Sequence, residues 1–138
     1  FDEIRPGNFV LYDLTQFTIN SCEEKDISIA IACPIVAKHK DRMEIIIYGG
    51  GVHFSKDYLK VDDSSESFYG YLVEKNADGT WGEINKTNYL KSINQEHGIL
   101  KVNKKTFDEL KIGEIIYILP IHSCMSMDLL KNSVFLIY

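Results

Sequence analysis

Cysteine, proline and tryptophan are scarce in this chain, with three, three and one copies. Cys22, Cys33 and Cys124 cannot all pair with one another, and their spacing is not that of a small secreted module stapled by disulfides. Reduced thiols in a cytoplasmic setting are the expectation. An excess of basic charge is also missing: 15 Lys and Arg stand against 20 Asp and Glu, giving a formal charge of -5. Nucleic-acid binders present a basic stripe, so no nucleic-acid partner is expected. Lys38, Lys40 and Arg42 do cluster, but Asp41 and Glu44 interrupt them, and the group reads as the solvated tip of a hairpin. No apolar run approaches the roughly 18 residues that would span a bilayer, so no membrane partner is expected either.

Hydrophobic residues make up 45% of the 138 positions and charged residues 25%, the balance of an ordinary globular domain. A chain of this size buries roughly two thirds of the surface its unfolded form exposes, enough for a core without covalent staples. One β-rich domain over residues 1–138 is therefore expected. The chain opens F-D-E-I-R-P-G without methionine and runs at once into a turn signal, which reads as a portion of a longer polypeptide.

Turn chemistry and β-branched runs set the expected order of elements. Arg5-Pro6-Gly7-Asn8 is a turn, and Phe9 to Tyr12 reads as a strand. Residues 13–25 lack a sustained period and read as a loop. Asp26 to Ala37 and Met43 to Tyr48 are apolar runs rich in isoleucine and valine, separated by K-H-K-D-R, the pattern of a long hairpin. Gly49-Gly50-Gly51 stops the second run, and Val52 to Asp57 follows as a loop. Residues 61–67, V-D-D-S-S-E-S, lack apolar anchors and read as a mobile segment. Phe68 to Glu74, Gly98 to Val102 and Gly113 to Leu119 read as further strands, with a turn at Asn76 to Gly79. Thr106-Phe107-Asp108-Glu109 has capping-box spacing, Met125 to Lys131 suits a short helix, and Val134 to Tyr138 suits a last strand. The fold class is mostly β: an antiparallel barrel-like or sandwich domain with one or two short helices.

Few residues stand out chemically. In P-I-H-S-C, Pro120 to Cys124, a histidine and a cysteine lie two residues apart. In an extended segment they share a face, roughly 7 Å apart at Cα. An imidazole nitrogen and a thiolate suit zinc. Two ligands leave coordination positions open, as in catalytic rather than structural metal sites. The alternative is plain packing, since cysteine is often buried for its own sake. Gly49 to Gly51 either lets the backbone approach a ligand or another chain, or merely ends a strand. Ser55 beside Lys56 suggests a nucleophile and base only weakly, with no third group to orient them. Glu96-His97 is either an oriented imidazole or part of a turn closed by Gly98. Tyr48, Tyr69 and Tyr71 read as core or interface residues.

Taken in order, E-I-R-P-G-N-F-V, Y-G-G-G-V-H-F-S-K-D, Y-G-Y, Q-E-H-G and P-I-H-S-C resemble the carboxy-terminal domain of the D-threonine aldolase and D-serine dehydratase family, whose members include alanine racemase-like proteins. The resemblance covers nearly the whole chain. It implies a fold-type III enzyme using pyridoxal phosphate, with the cofactor lysine in an amino-terminal α/β barrel and not at Lys56. It implies a metal pair at His122 and Cys124, zinc with cysteine at the second position and manganese as the alternative. His53, Ser55, Tyr69 and His97 are then possible active-site-facing residues. The implied activity is that of a lyase on a D-β-hydroxy amino acid, by aldol cleavage or dehydration, with the isolated domain inactive. The implied partners are its own barrel domain and a second copy in a homodimer. The segment M-S-M-D-L-L after Cys124 departs from the family's C-P-T-V-N-L form, which bears on substrate choice. The competing readings are a racemase, in which the domain only shapes the pocket, and a non-catalytic binding or assembly module.

Overall fold

The isoleucine-rich runs form a hairpin, because β-branched side chains pack well on a pleated, buried surface. In the computed structural model, β1 (Ile31–His39) and β2 (Glu44–Tyr48) pair antiparallel, with Ile35 opposite Ile47 and His39 opposite Glu44. Alternation turns Ile31, Cys33 and Ile35 inward and Ala32 and Val36 to the solvent. The structure describes residues 2–5, 7–61 and 65–135. Three expectations fall partly outside these residues: the turn at Pro6, the middle of the acidic segment at 62–64, and the end of the last strand at 136–138.

Four further strands complete a closed antiparallel barrel: β5 (Gly70–Val73), β6 (Tyr89–Ile93), β7 (His97–Lys101) and β8 (Ile115–Pro120). The order around it is β1-β2-β7-β6-β5-β8, with β8 returning to pair with β1. A barrel rather than a sandwich is therefore the architecture. β3 (Leu59–Lys60) and β4 (Ser67–Phe68) form a separate two-stranded ribbon.

The barrel interior is filled by Ile31, Cys33, Ile35, Ile45, Ile47, Leu90, Leu100, Ile116 and Ile118, with Phe54, Val102 and Phe107 at its ends. A second apolar cluster lies on the other face of β5, β6 and β8, where Tyr71, Val73, Tyr89 and Leu119 meet Leu14, Ile27, Phe68 and Ile121. Successive strand residues point to opposite faces. Ile118 and Leu119, both fully buried, thus belong to different clusters.

The amino-terminal segment that covers the outer face differs from its expected form. Phe9 to Tyr12 is irregular rather than a strand, with Phe9 and Val10 exposed. Tyr12 has φ 51, a left-handed conformation that interrupts extension. Residues 13–25 are not simply a loop. Asp13 caps a helix α1 (Leu14–Thr18), its side chain accepting from the Gln16 N–H, and Glu23 and Asp26 form a reciprocal box around a 3-10 turn.

Other elements also shift. The hairpin strand starts at Ile31 rather than Asp26, and its tip is a 3-10 turn at Lys40–Arg42 closed by Met43 with φ 51. Lys38 is not a solvated tip residue. Its ammonium donates to the carbonyls of Phe107 and Leu110, at the end of α2 (Lys104–Glu109), and lies 4.4 Å from the centre of the Phe107 ring. The cap of α2 is Asn103, whose side chain accepts from the Thr106 N–H, so Thr106 lies inside the helix and does not open it. Gly98 lies in β7 and not in the turn, which runs from Asn94 to His97. Val134 and Phe135 are not in a strand. The last helix, α3 (Ser123–Leu130), begins two residues earlier than Met125.

Candidate functional site

Antiparallel closure brings particular strand ends to one rim of the barrel. Tyr48 pairs with His97 and Gly70 pairs with Pro120. The carboxy-terminal ends of β2, β6 and β8 therefore share that rim with the amino-terminal ends of β5 and β7. His97 is the first residue of β7, Tyr69 precedes β5 directly, and His53, Ser55, His122 and Cys124 lie in the segments that follow β2 and β8. Residues scattered over 70 positions of sequence are thus gathered on one edge of one barrel.

The loop after β2 organises this rim. Gly50 packs so closely on the β6–β7 turn that an added Cβ would lie 2.6 Å from the Glu96 carbonyl carbon and the His97 nitrogen. The Gly51 N–H donates to the Asn94 carbonyl at 2.8 Å, and the His53 and Phe54 N–H groups both donate to the Gly50 carbonyl at 2.9 Å. Phe54, 1% exposed, anchors the loop in the barrel core. The glycine run serves close approach of the chain to itself.

Two groups of side chains result. In the first, Tyr48 is flanked edge-on by His53 at 4.9 Å and His97 at 5.6 Å between ring centres. His53 Nδ1 accepts from the Gly50 N–H at 3.2 Å, which places its proton on Nε2. Burial pushes the pKa of His53 below the ordinary imidazole range, the Glu96 charge opposes the shift, and His97 adds to it. His97 itself is exposed. Beside this group, Tyr69, Lys56, Val52, Ile93 and Asn94 line a cleft of about 450 Å³, and Tyr69 meets Tyr58 with ring centres 6.1 Å apart.

The second group is built on the end of β8. His122 is the last extended residue, with φ -132 and ψ 98, and α3 starts at Ser123. Cys124 therefore lies in the first turn of a helix rather than two places along a strand. The expected shared face of an extended segment does not occur, because the chain bends between the two residues. Both remain at the surface: Cys124 is exposed and the His122 side chain is 43% exposed. His122 Nδ1 lies 2.7 Å from Asp57 Oδ2, a contact across 65 residues of sequence. An ionised carboxylate only accepts, so Nδ1 carries a proton, and in the neutral imidazole the lone pair is then on Nε2.

Asp57 is held in turn. Its N–H donates to the hydroxyl of Ser55 at 3.3 Å, and Ser55 is buried. On the opposite side, Asp13 fixes the His122 turn. Its Oδ2 accepts from the Ser123 N–H at 3.0 Å, and the Ile121 carbonyl accepts from both the N–H and the hydroxyl of Thr15. Sequence reasoning passed over Asp13 and Asp57. Asp13, three residues before Gln16, carries the spacing of a helix cap, whereas nothing in the sequence links Asp57 to His122.

An imidazole with a free Nε2 and an exposed thiol are suitable donors for zinc. Among the described residues no group of three or more His, Cys, Asp or Glu is arranged to hold an ion. By donor type His122 and Cys124 could supply two ligands, and the carboxylate on Nδ1 has the form of an outer-shell partner. In donor chemistry these two residues fit a divalent ion such as zinc.

A six-stranded barrel that carries such a pair and a cleft lined by Tyr69 and Lys56 on its rim defines a domain class, and the comparisons identify it. The family profile described as "Putative serine dehydratase domain" matches residues 28–136, and the chain belongs to that family. It is 25% identical over 130 residues to D-serine dehydratase of Dictyostelium discoideum, covering 91% of this chain and 31% of that protein. It is 24% identical over 127 residues to D-threo-3-hydroxyaspartate dehydratase of Delftia sp. strain HT23, covering 88% of this chain and 32% of that protein. The chain spans about a third of the length of these curated relatives.

Solved structures share the fold. An alanine racemase-like protein of Idiomarina loihiensis superposes with a TM-score of 0.70 at 20% identity, over 86% of this chain and 31% of that one. The Delftia dehydratase gives 0.66 at 22% identity, over 84% and 31%. A cysteine-to-alanine variant of that dehydratase, solved in a metal-free form, gives 0.62 at 23% identity, over 84% and 31%. Among the described residues no helix is long and apolar enough to cross a membrane.

Proposed function

We propose that this chain is the metal-bearing carboxy-terminal domain of a pyridoxal-phosphate-dependent lyase that dehydrates a D-β-hydroxy amino acid. The observation that carries the reading is His122 at the end of β8, its Nδ1 occupied by Asp57 and its Nε2 free, two residues before the exposed thiol of Cys124. The names of the curated relatives, both dehydratases of D-amino acids, favour dehydration over aldol cleavage. Matching only about a third of those relatives supports a larger enzyme in which the rest of the polypeptide holds the cofactor.

When bound, pyridoxal phosphate supplies an electron sink for the carbanion and a divalent ion, zinc or alternatively manganese, supplies Lewis acidity toward the β-hydroxyl oxygen. This chain's own part is to hold and orient. His122 through Nε2 and Cys124 through its sulfur would ligate the ion, a nitrogen and sulfur set that favours zinc. Tyr69, which lines the cleft, and the half-buried His53 of the neighbouring β2 loop are hydrogen-bonding groups that could position a substrate. The exposed side chains of Met125 and Leu129, on the same helix as Cys124, give that face an apolar surface suited to packing against the remainder of the enzyme or a second copy in a homodimer. Three free thiols suit a reducing, cytoplasmic setting.

The test is turnover of D-serine and D-threo-3-hydroxyaspartate by the full-length protein, read as keto acid formed. Chelator treatment and His122→Ala should each remove most activity, with restoration of the chelated enzyme by zinc or manganese. Undiminished keto acid formation after both treatments would overturn the reading. Enantiomer interconversion insensitive to chelator, without keto acid, would identify a racemase instead.

A further inference from the structure

We infer that Asp57 is the positioning residue of the metal centre: it sets the tautomer and ring orientation of His122 so that Nε2 is presented to the ion. The inference rests on the metal reading above and adds a residue to it. His122 Nδ1 and Asp57 Oδ2 are 2.7 Å apart, a charge-assisted distance that requires the proton on Nδ1. That is the tautomer in which Nε2 is the ligand. A free imidazole divides between its two tautomers, and its ring rotates about two side-chain bonds. The carboxylate removes both freedoms.

The two residues are fixed independently of one another. The backbone after His122 is tied by the Ser123 N–H to Asp13, at 3.0 Å. Asp57 is held by its N–H bond to the buried Ser55 hydroxyl at 3.3 Å, in a loop pinned to the core by Phe54. The imidazole–carboxylate bond therefore closes between two anchored backbones, which is what pre-organisation of a ligand requires. Folding stability does not account for the pair. Its side chains are 43% and 53% exposed, and a polar contact so open to solvent contributes little to stability. An outer-shell carboxylate also strengthens the imidazole as a donor, which matters most where the protein supplies only two ligands.

The experiment measures zinc affinity of the full-length protein by competition with a chromogenic chelator, together with the near-ultraviolet thiolate-to-metal absorption of the cobalt-substituted protein and nitrogen-15 spectra of His122 without metal. Asp57→Ala should weaken zinc binding by about 10–100-fold, leave the melting temperature of the metal-free protein unchanged, and convert His122 from a single Nδ1–H form to a mixture of tautomers. Asp57→Asn keeps an acceptor oxygen without the charge and should fall between Asp57→Ala and the unmodified protein. It also serves as the measurement should Asp57→Ala not fold. Unaltered zinc affinity and an unaltered His122 tautomer in both variants overturn the inference while leaving the His122 and Cys124 ligands in place, provided His122→Ala abolishes binding. Retention of zinc by His122→Ala overturns the metal reading and this inference together.

Discussion

The Asp13 carboxylate accepts a hydrogen bond from the Ser123 N–H at 3.0 Å, joining the first helix to the first turn of the last one across 110 residues of sequence. His122 caps α3 without a side-chain bond, so Asp13 satisfies from a distance a donor that a local cap would ordinarily take. It also accepts from the Gln16 N–H at 3.0 Å and from the Asn8 side-chain amide at 2.6 Å. With Asp13 only 2% exposed and Ser123 fully buried, Asp13→Ala leaves the Ser123 N–H without its partner and removes the cap of α1, and should destabilise the protein by about 2–4 kcal/mol. Urea denaturation reads the loss. Because the same carboxylate ties down the residue after His122, metal affinity should fall in the variant as well.

The glycine run predicts a contrast between neighbours. A Cβ on Gly50 would meet backbone atoms of Asn94, Glu96 and His97 at 2.6–2.7 Å, and backbone has no flexible end to move aside. A Cβ on Gly51 would meet nothing closer than 3.4 Å. Gly50→Ala should therefore cost about 1–3 kcal/mol by overpacking, and Gly51→Ala should lie within about 0.5 kcal/mol of the parent. Equal melting temperatures for the two variants would contradict the close approach of loop to turn.

The elements that could be read from the sequence are those whose pattern is local. The β1–β2 hairpin and β8 announce themselves through consecutive isoleucines, and the turn at Asn76 to Gly79 through its composition. β6, Tyr89–Ile93, was hidden because a register shift between Leu90 and Ser92 breaks its alternation. Helix α1 has only five residues, too few for a 3.6-residue period to show, and only its cap marks it. The candidate site divides in the same way. His122 and Cys124 stand out by spacing, although the extended geometry assumed for them gives way to a helix start. Asp57 and the Tyr48, His53 and His97 cluster come from strand register and loop packing, which no local signal carries.

Glu44 gives a pH dependence with a definite sign. Its carboxylate, 8% exposed as a residue, bonds the Arg42 guanidinium at 2.8 Å and the Lys91 ammonium at 3.1 Å. The Arg42 hydrogen bond, against an opposing effect of burial and with help from Lys91, holds its pKa below the ordinary value of 4.5. A carboxyl group with a depressed folded-state pKa contributes stability that is complete above its unfolded value and is lost as pH falls through the folded one. Glu44→Gln should thus be destabilised by about 1–3 kcal/mol at neutral pH. The difference from the parent should persist down to the ordinary value and shrink below it. Chemical denaturation at a series of pH values checks this, and a gap that widens in acid would reverse the assignment.

The three thiols should react in an order set by access and by ionisation. Cys33 is fully buried in the barrel, and burial pushes its thiol up to about 12, so it has neither a path for reagent nor a reactive thiolate at neutral pH. Cys22 is half-buried, and burial, followed by the charges of Asp26 and Asp13, raises its pKa above the ordinary thiol value. Cys124 is exposed at the start of α3. A short pulse of iodoacetamide followed by peptide mass spectrometry should label Cys124 first and Cys22 more slowly, with Cys33 labelled only after denaturation. Zinc should then suppress labelling of Cys124 selectively, because a ligated sulfur no longer offers its lone pair to carbon. Protection that is lost in His122→Ala ties the thiol and the imidazole to one ion. Labelling of Cys124 at the same rate with and without zinc in the full-length protein would remove the sulfur from the coordination sphere and leave the imidazole to bind alone.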